Sequence, residues 1–172
     1  AETIERYKPD VVIHTAAQKH ISECDESPMQ AVATNIQGTK NVAKACIRGN
    51  VKCECFVSTD KAVAPTTLYG MTKYIGDRIW VNESKRQNTT KFTGVRYCNV
   101  LNSKGSLIPL YLELAKSLNP VFPLTNPDMT RFFITFKQSI DLIMRSLGEC
   151  SLPLWRSNIF IRAIEHNVFH VP

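Results

Sequence analysis

Three short apolar runs, separated by two segments of helical spacing, constrain the fold of this chain most strongly. The apolar runs cover residues 11–17, 51–57 and 92–97, and the helical segments cover residues 28–46 and 68–85. Short apolar runs of this kind are typical of strands that are buried on both faces of a parallel sheet. Strands that alternate with helices indicate a doubly wound α/β arrangement. The sequence therefore predicts a parallel sheet with helices on both faces.

Size, charge and cysteine use limit the class of protein. The 172 residues suffice for one domain with a substantial core. No apolar run is long enough to cross a bilayer and no signal peptide is visible, so we expect a cytoplasmic protein, although membrane attachment through a region upstream of Ala1 stays open. The net charge of +6 is dispersed, which argues against a nucleic-acid partner. We interpret all six cysteines as reduced thiols, and we predict no metal site because His14 and His20 have no third ligand in view.

Two neighbouring motifs carry the candidate chemistry. Four polar residues directly follow the second apolar run: Ser58, Thr59, Asp60 and Lys61. Ligands of open parallel sheets bind outside the carboxyl ends of the strands, so these side chains are candidates for a binding site. Tyr69 and Lys73 are four residues apart on the following helix and share one face. An ammonium beside a phenol lowers the pKa of the phenol, which would let Tyr69 act as a base toward a sugar hydroxyl.

A Tyr-x-x-x-Lys pair alone also fits a solvated surface aromatic that is covered by a lysine stem. The order and spacing of the two motifs together resemble the extended short-chain dehydrogenases/reductases. Within them, the chain resembles the polysaccharide-biosynthesis (CapD-like) group, and the inverting UDP-N-acetylglucosamine 4,6-dehydratases in particular, because Tyr69 stands where dehydratase-epimerases often have methionine. Further matches are Ala-Ala-x-Lys-His at 16–20, Thr-Asn-x-x-Gly-Thr at 34–39 and Arg-Tyr-Cys-Asn-Val at 96–100. The family has glycine where this chain has Cys98 and Asn102, so we expect a slightly reshaped loop there.

The resemblance implies a role for each matching residue. The implied catalytic residues are Thr59, Asp60, Lys61, Tyr69 and Lys73. NADP, or alternatively NAD, would contact Ala16, Tyr69, Lys73 and Val100. A UDP-sugar would contact Lys19, Ser58, Thr59, Asn99, Thr125 and Arg131, and Asn35 would help to order Tyr69 and Lys73. The implied product is a 4-keto-6-deoxy sugar nucleotide with inverted C5.

The resemblance also suggests how the chain is divided. We expect residues 1–149 to form a partial Rossmann-type catalytic region, with the substrate-binding part mainly at residues 99–149. The glycine-rich loop that holds a dinucleotide pyrophosphate is not present in this stretch. We interpret residues 151–172 as a divergent tail, which a frameshift would explain. A UDP-sugar epimerase, a dehydratase-epimerase and a truncated non-catalytic fragment stay open as alternatives, and we expect the full-length protein to be a homo-oligomer.

Overall fold

The computed structural model describes residues 1–86, 89–124, 126–150 and 168–170, with side chains up to Gly148. Its helices and strands follow in an order that alternates through most of the chain. They are α1 (Glu2–Tyr7), β1 (Val11–His14), α2 (Ile21–Glu26), α3 (Pro28–Ala31), a π-helical segment (Val32–Gly38), α4 (Thr39–Arg48), β2 (Cys53–Thr59), α5 (Leu68–Arg86), β3 (Lys91–Tyr97), β4 (Asn99–Val100), α6 (Leu107–Leu114), β5 (Thr130–Ile134), α7 (Phe136–Cys150) and β6 (Val168–His170).

The main sheet confirms the predicted parallel α/β arrangement. Its strand order is β1–β2–β3, and both pairs are parallel. All residues of the central strand β2 are buried, because α4 and α5 cover one face of the sheet and α7 covers the other. On the first face, Trp80 stacks on Phe56 at 5.2 Å and meets Phe92 edge-on at 5.0 Å between ring centroids. These aromatic contacts contribute burial and ring geometry together, so they hold α5 firmly against the sheet.

Several element boundaries differ from the expectation. Strand β1 ends at His14 rather than at residue 17. Strand β2 continues through Ser58 and Thr59, because its ladder with β3 extends to the pair Thr59↔Tyr97. These two polar residues are therefore held by the sheet itself rather than by a following loop.

The segment before β2 was expected to form one continuous helix, and the structure interrupts it with a π-helical segment. This segment, Val32–Gly38, contains the buried Asn35. The Thr39 hydroxyl donates to the Asn35 carbonyl oxygen at 2.7 Å, a side-chain bond that competes with the regular helical ladder. π-helical turns occur frequently at functional sites, and the contacts of Asn35 described below connect this one with the candidate site.

Two further expectations concern the cysteines and the tail. Cys24, Cys46, Cys55 and Cys98 are free thiols, whereas Cys53 is disulfide-bonded. The expectation of six reduced thiols is therefore wrong at Cys53, because the pairing of cysteines depends on which of them the fold brings together, and the sequence alone does not give this. Val168–His170 pairs antiparallel with β5, and the other residues of the predicted tail lie outside the described part of the chain. Among the described helices, none combines the length and the apolar character that a membrane crossing requires.

Candidate active site at the carboxyl end of the sheet

A cleft of about 440 Å³ opens where the main strands end. Eight of the predicted site residues line it: Lys19, Ser58, Thr59, Lys61, Tyr69, Lys73, Asn99 and Val100. They come from the loop after β1, from the end of β2 and the turn after it, from β4 and from the start of α5, so parallel pairing brings their side chains to one edge of the sheet. The fold thus assembles most of the predicted residues in a single cleft.

Three predicted residues do not line this cleft, and a fourth lies outside the described residues. Ala16 lies between Thr15 and Ala17, which line the cleft while Ala16 itself does not. Asp60 does not line the cleft, although its neighbours Thr59 and Lys61 do. Arg131 lines an adjacent pocket of about 210 Å³. Thr125 lies outside the described residues.

The start of α5 packs directly on the turn that follows β2. The Thr67 hydroxyl accepts from the Gly70 amide at 3.2 Å, which caps the first turn of the helix. A Cβ atom at Gly70 would lie 2.3 Å from the Lys61 carbonyl oxygen, a distance that only glycine avoids. The glycine therefore allows the backbone beside Tyr69 to approach the backbone of Lys61 closely.

Lys73 is bound to the strand rather than to the tyrosine. Its ammonium donates to the Val57 carbonyl oxygen at 2.8 Å and lies 4.3 Å from the centroid of the Phe56 ring. Burial lowers the pKa of Lys73 to about 8, and the negative charge of Asp77 partly opposes this shift. A lysine with this pKa exchanges protons close to neutral pH.

Tyr69 differs from the expectation. Burial raises the pKa of its phenol to about 12, and a hydrogen bond with Thr59 lowers it only in part. The prediction that Lys73 lowers the pKa of Tyr69 is wrong for this structure, because desolvation of the phenolate outweighs the effect and the described bond of the ammonium goes to the backbone of β2. The two side chains nevertheless line the same cleft.

A chain of hydrogen bonds connects the end of β2 with the second sheet. The Asp60 carboxylate accepts from the Thr59 hydroxyl at 2.9 Å and from the Lys61 ammonium at 3.1 Å. The same ammonium donates to Asn99 Oδ1 at 2.9 Å, and Asn99 Nδ2 donates to the Phe132 carbonyl oxygen at 3.1 Å. Asp60 therefore reaches the cleft through two lining groups, and Lys61 is held between a carboxylate and an amide.

Asn35 connects the loop after β1 with helix α5. Its amide nitrogen donates to the Gln18 carbonyl oxygen at 3.0 Å and to the Thr72 hydroxyl at 2.9 Å, and its Oδ1 accepts from the Gln18 amide at 2.8 Å. Thr72 directly precedes Lys73. These three bonds hold the loop after β1 in a fixed position relative to α5.

The loop between β4 and α6 lies against the loop after β1. Lys19 donates to the Lys104 carbonyl oxygen at 2.8 Å, and Gly105, with a φ of +73°, packs against the His20 ring. Asn102 adopts a φ of 58°, which asparagine tolerates where the family has glycine. Cys98 lies outside the left-handed region, so the second replaced glycine introduces no backbone strain.

Ser106 is a lining residue that the sequence reasoning missed. Its hydroxyl is buried and has no hydrogen-bond partner among the described residues, and the hydroxyl of Ser58 is in the same situation. A serine before a helix normally bonds to the first turn, but Ser106 makes no such bond to α6. The signal in the sequence is ambiguous for this reason, because a capping serine and a ligand-binding serine look alike. Buried hydroxyls that line a cleft are suited to bind a polar ligand.

The parallel sheet, the cleft at its carboxyl edge and the Tyr69–Lys73 helix define an extended short-chain dehydrogenase/reductase. Within this class, the chain belongs to the family described as polysaccharide biosynthesis protein, which matches residues 1–168.

Individual relatives agree with this assignment. An inverting UDP-N-acetylglucosamine 4,6-dehydratase of Campylobacter jejuni is 36% identical over 151 residues, which cover 84% of this chain and 45% of the relative. A UDP-glucose 4-epimerase of Rickettsia bellii is 36% identical over 137 residues, which cover 78% of this chain and 40% of the relative. The chain thus spans less than half the length of these two curated relatives.

A solved structure supports the fold. The DesIV double mutant, a dTDP-glucose 4,6-dehydratase from Streptomyces venezuelae with NAD and DAU bound, superposes with a TM-score of 0.81 at 18% sequence identity. The match covers 93% of this chain and 54% of that one. At this identity the comparison shows that the two proteins share the fold.

Proposed function

We propose that the protein containing this chain is a UDP-N-acetylglucosamine 4,6-dehydratase that inverts C5. The observation that carries the proposal is the pairing of Asp60 with Lys61 beside the cleft that Tyr69 and Lys73 line. An epimerisation at C4 requires one group that moves the hydroxyl proton. Loss of water across C5 and C6 requires, in addition, a base at C5 and an acid at the departing hydroxyl. The Asp60–Lys61 pair supplies both kinds of group, and the dehydratase relative supports the assignment.

The cleft suits a nicotinamide dinucleotide, for which we propose NADP, with NAD as the alternative. The Lys73 ammonium has three N–H donors, and the Val57 carbonyl accepts from one of them, so the others suit the hydroxyls of a ribose. Ala16, Tyr69, Lys73 and Val100 would hold the cofactor. When bound, this cofactor supplies hydride chemistry, first as the acceptor at C4 of the sugar and then as the donor at C6.

The proton transfers are assigned to residues of this chain. Tyr69, in its phenolate form, takes the proton of the C4 hydroxyl, and the Thr59 hydroxyl donates a hydrogen bond to the C4 oxygen. The resulting 4-keto group acidifies the C5 hydrogen. A proton passes from the Lys61 ammonium to the Asp60 carboxylate within the pair, so that the neutral Lys61 amine removes the C5 hydrogen and the Asp60 carboxyl protonates the C6 hydroxyl, which leaves as water. A proton is then delivered to C5 on the opposite face.

Substrate contacts are assigned to residues of the cleft and of the adjacent pocket. Lys19, Ser58 and Asn99 line the cleft itself, and Arg131 lines the adjacent pocket, which shares Asn99 and Val100 with it. An arginine fork can hold a diphosphate through two parallel hydrogen bonds. The adjacent pocket is therefore proposed as the site of the UDP diphosphate, with Thr125 as a further contact.

The function is tested by deuterium exchange at C5 in the full-length enzyme. We expect Lys61→Ala to abolish incorporation of deuterium from D₂O at C5, because the base is removed, while the bound cofactor is retained. Lys52→Ala, which removes an exposed lysine paired with Asp10 on the opposite edge of the sheet, serves as the control and should exchange normally. Exchange that persists in Lys61→Ala would exclude Lys61 as the base.

The second candidate function is a UDP-sugar epimerase or a dehydratase-epimerase, which the epimerase relative favours. NMR analysis of the product separates these activities. A 4-epimer retains the C6 hydroxyl, whereas the dehydratase products carry a C6 methyl group.

A further inference from the structure

A buried ion pair lies directly behind the catalytic lysine. Asp77 follows Lys73 by one turn of α5, so the two side chains share a face of the helix. The Asp77 carboxylate accepts from Arg96 Nη2 at 2.5 Å, and the two side chains are only 12% and 16% exposed. Arg96 lies on β3 opposite Ser58 of β2. The pair therefore connects the catalytic helix with the sheet at the level of the cleft.

The pair is adjacent to the cleft without being part of it. Asp77, Arg96 and Ser58 line a separate cavity of about 100 Å³, whereas Lys73 and Ser58 line the cleft. Asp77 and Arg96 are thus not placed to touch a substrate in the cleft. Any effect they have on the chemistry must act through a neighbouring group, and Lys73 is the nearest such group along α5.

A buried ion pair is not explained by stability alone. Removing two charges from water is unfavourable, and apolar replacements of such pairs are often neutral or stabilising. The Arg96 Nε atom is moreover buried and has no hydrogen-bond partner among the described residues. The charges of the pair therefore suggest an effect on the electrostatics of their surroundings.

The charged and titratable groups around Lys73 define what that effect is. His14 of β1 faces Lys73, and burial followed by the charge of Lys73 lowers the pKa of its ring to about 4, so it is neutral at pH 7. Tyr69 on the same helix is a neutral phenol, and Arg96 of β3 is a cation bound to Asp77. Among these groups in the described part of the chain, the Asp77 carboxylate alone favours the charged form of Lys73.

We propose that Asp77 and Arg96 are positioning residues that set the proton affinity of Lys73. Asp77 stabilises the ammonium, and Arg96 fixes the carboxylate and partly neutralises its field. The catalytic consequence rests on the proposed function, in which Lys73 works beside Tyr69. The electrostatic effect does not depend on that function and can be measured separately.

The test is an NMR titration of Lys73 in the full-length protein with ¹³C-labelled lysine, in which Lys73→Met identifies the resonance. Asp77→Asn should lower the pKa of Lys73 by about 1 or more, because an attractive charge is lost and the Arg96 repulsion is retained. Arg96→Gln should raise the pKa, because the Asp77 charge then acts without compensation. Opposite directions are the signature of a charge effect, since a structural disturbance would move the titration the same way in both variants.

Two further variants keep the test decisive. Asp77→Asn/Arg96→Gln leaves no unpaired buried charge, so it tests the effect if a single variant does not fold, and its Lys73 pKa should lie between those of the single variants. Asp141→Asn removes the carboxylate of the exposed pair Lys137–Asp141 on α7 and should leave the Lys73 titration unchanged. Equal shifts in Asp77→Asn and Asp141→Asn, or shifts of the same sign in Asp77→Asn and Arg96→Gln, would overturn the proposal.

The pH profile of turnover distinguishes this inference from the proposed function. If both hold, the limb of the profile that reports Lys73 moves to lower pH in Asp77→Asn, together with its titration. A titration that moves while the profile does not would support the electrostatic effect and contradict a role of Lys73 in the reaction. A titration that does not move would contradict the electrostatic effect, whatever the activity.

Discussion

The two walls of the cleft are built very differently. The catalytic wall comprises Thr59, Lys61, Tyr69 and Lys73, and all of these except Lys61 are less than a tenth exposed. The substrate wall comprises Asn99 and Val100 of the cleft and Arg131 of the adjacent pocket, and each of these is half-buried or exposed. The first wall belongs to the three-stranded parallel sheet with its two helical layers. The second belongs to a small sheet in which β4 and β5 share two residue pairs.

This difference teaches how chemistry and binding are distributed in the molecule. The groups proposed for proton transfer are fixed by the same contacts that form the core, so changes there affect the reaction and, in places, stability. The groups proposed for the substrate are fixed by few core contacts. Changes there should affect binding with little effect on the reaction step or on folding.

The largest effect is expected for Tyr69→Phe on the catalytic wall. Removing the proposed proton acceptor should reduce turnover of the full-length enzyme by about 10²- to 10⁴-fold, the usual contribution of a positioned acid–base group. Tyr74→Phe, an exposed tyrosine of the same helix, is the matched control and should retain normal turnover. Steady-state kinetics with UDP-N-acetylglucosamine measure both. Turnover above a tenth of the normal value in Tyr69→Phe would remove the tyrosine from the mechanism.

An intermediate effect, on stability rather than rate, is expected for Glu54→Gln, four residues before Ser58 in the same strand. Glu54 is fully buried, and burial raises the pKa of its carboxyl to about 9, with the Cys46 thiol opposing part of the shift. In the unfolded chain this carboxyl titrates near 4.5. Between these values the folded protein retains a proton that the unfolded chain has released, so the free energy of unfolding decreases as the pH rises, by up to about 1.4 kcal/mol per pH unit.

Glutamine cannot titrate, so Glu54→Gln should remove this pH dependence. The free energy of unfolding in urea should therefore rise for Glu54→Gln, relative to the unaltered protein, between pH 5.5 and pH 8.5. Glu113→Gln on the exposed surface of α6 should show no such growth. A difference between Glu54→Gln and the unaltered protein that stays constant with pH would contradict a neutral Glu54 in the folded state.

The smallest effect is expected for Arg131→Ala on the substrate wall. Its side chain is exposed and donates to the carbonyl oxygen of the adjacent Thr130, so few folded-state contacts are lost. We expect the KM for the UDP-sugar to rise about tenfold while kcat is unchanged, the pattern of lost uniform binding. Arg145→Ala, on the exposed surface of α7, is the control. A fall in kcat without a change in KM would show that the two walls are not separate in function.

The sequence predicted the catalytic wall better than the substrate wall, because the features of the catalytic wall depend on residues that are close together along the chain. Periodicity and the order of short motifs identify β2, α5 and the spacing of Tyr69 and Lys73, because these depend on neighbours along the chain. The same i, i+4 rule, continued by one turn from Lys73, reaches Asp77, so this residue was within reach of sequence reasoning. Arg96 was not, because its place beside Asp77 depends on the register between β2 and β3.

Quantities that depend on burial were also beyond sequence reasoning. The pKa of Tyr69 rises where a nearby lysine predicted a fall, because the spacing of two residues does not reveal how much water reaches them. The three hydrogen bonds that Asn35 makes to Gln18 and Thr72 likewise depend on contacts between distant parts of the chain.

The close packing of Gly70 on the Lys61 carbonyl has a consequence for the two groups that are proposed to act on the sugar. Two main chains meet there without an intervening side chain, so any side chain at position 70 would displace the backbone of Lys61 or that of Tyr69. Under the proposed function, the base for C5 and the tyrosine for C4 must reach adjacent carbons of one sugar ring. A residue that has no functional group of its own therefore governs the alignment of the two groups that do.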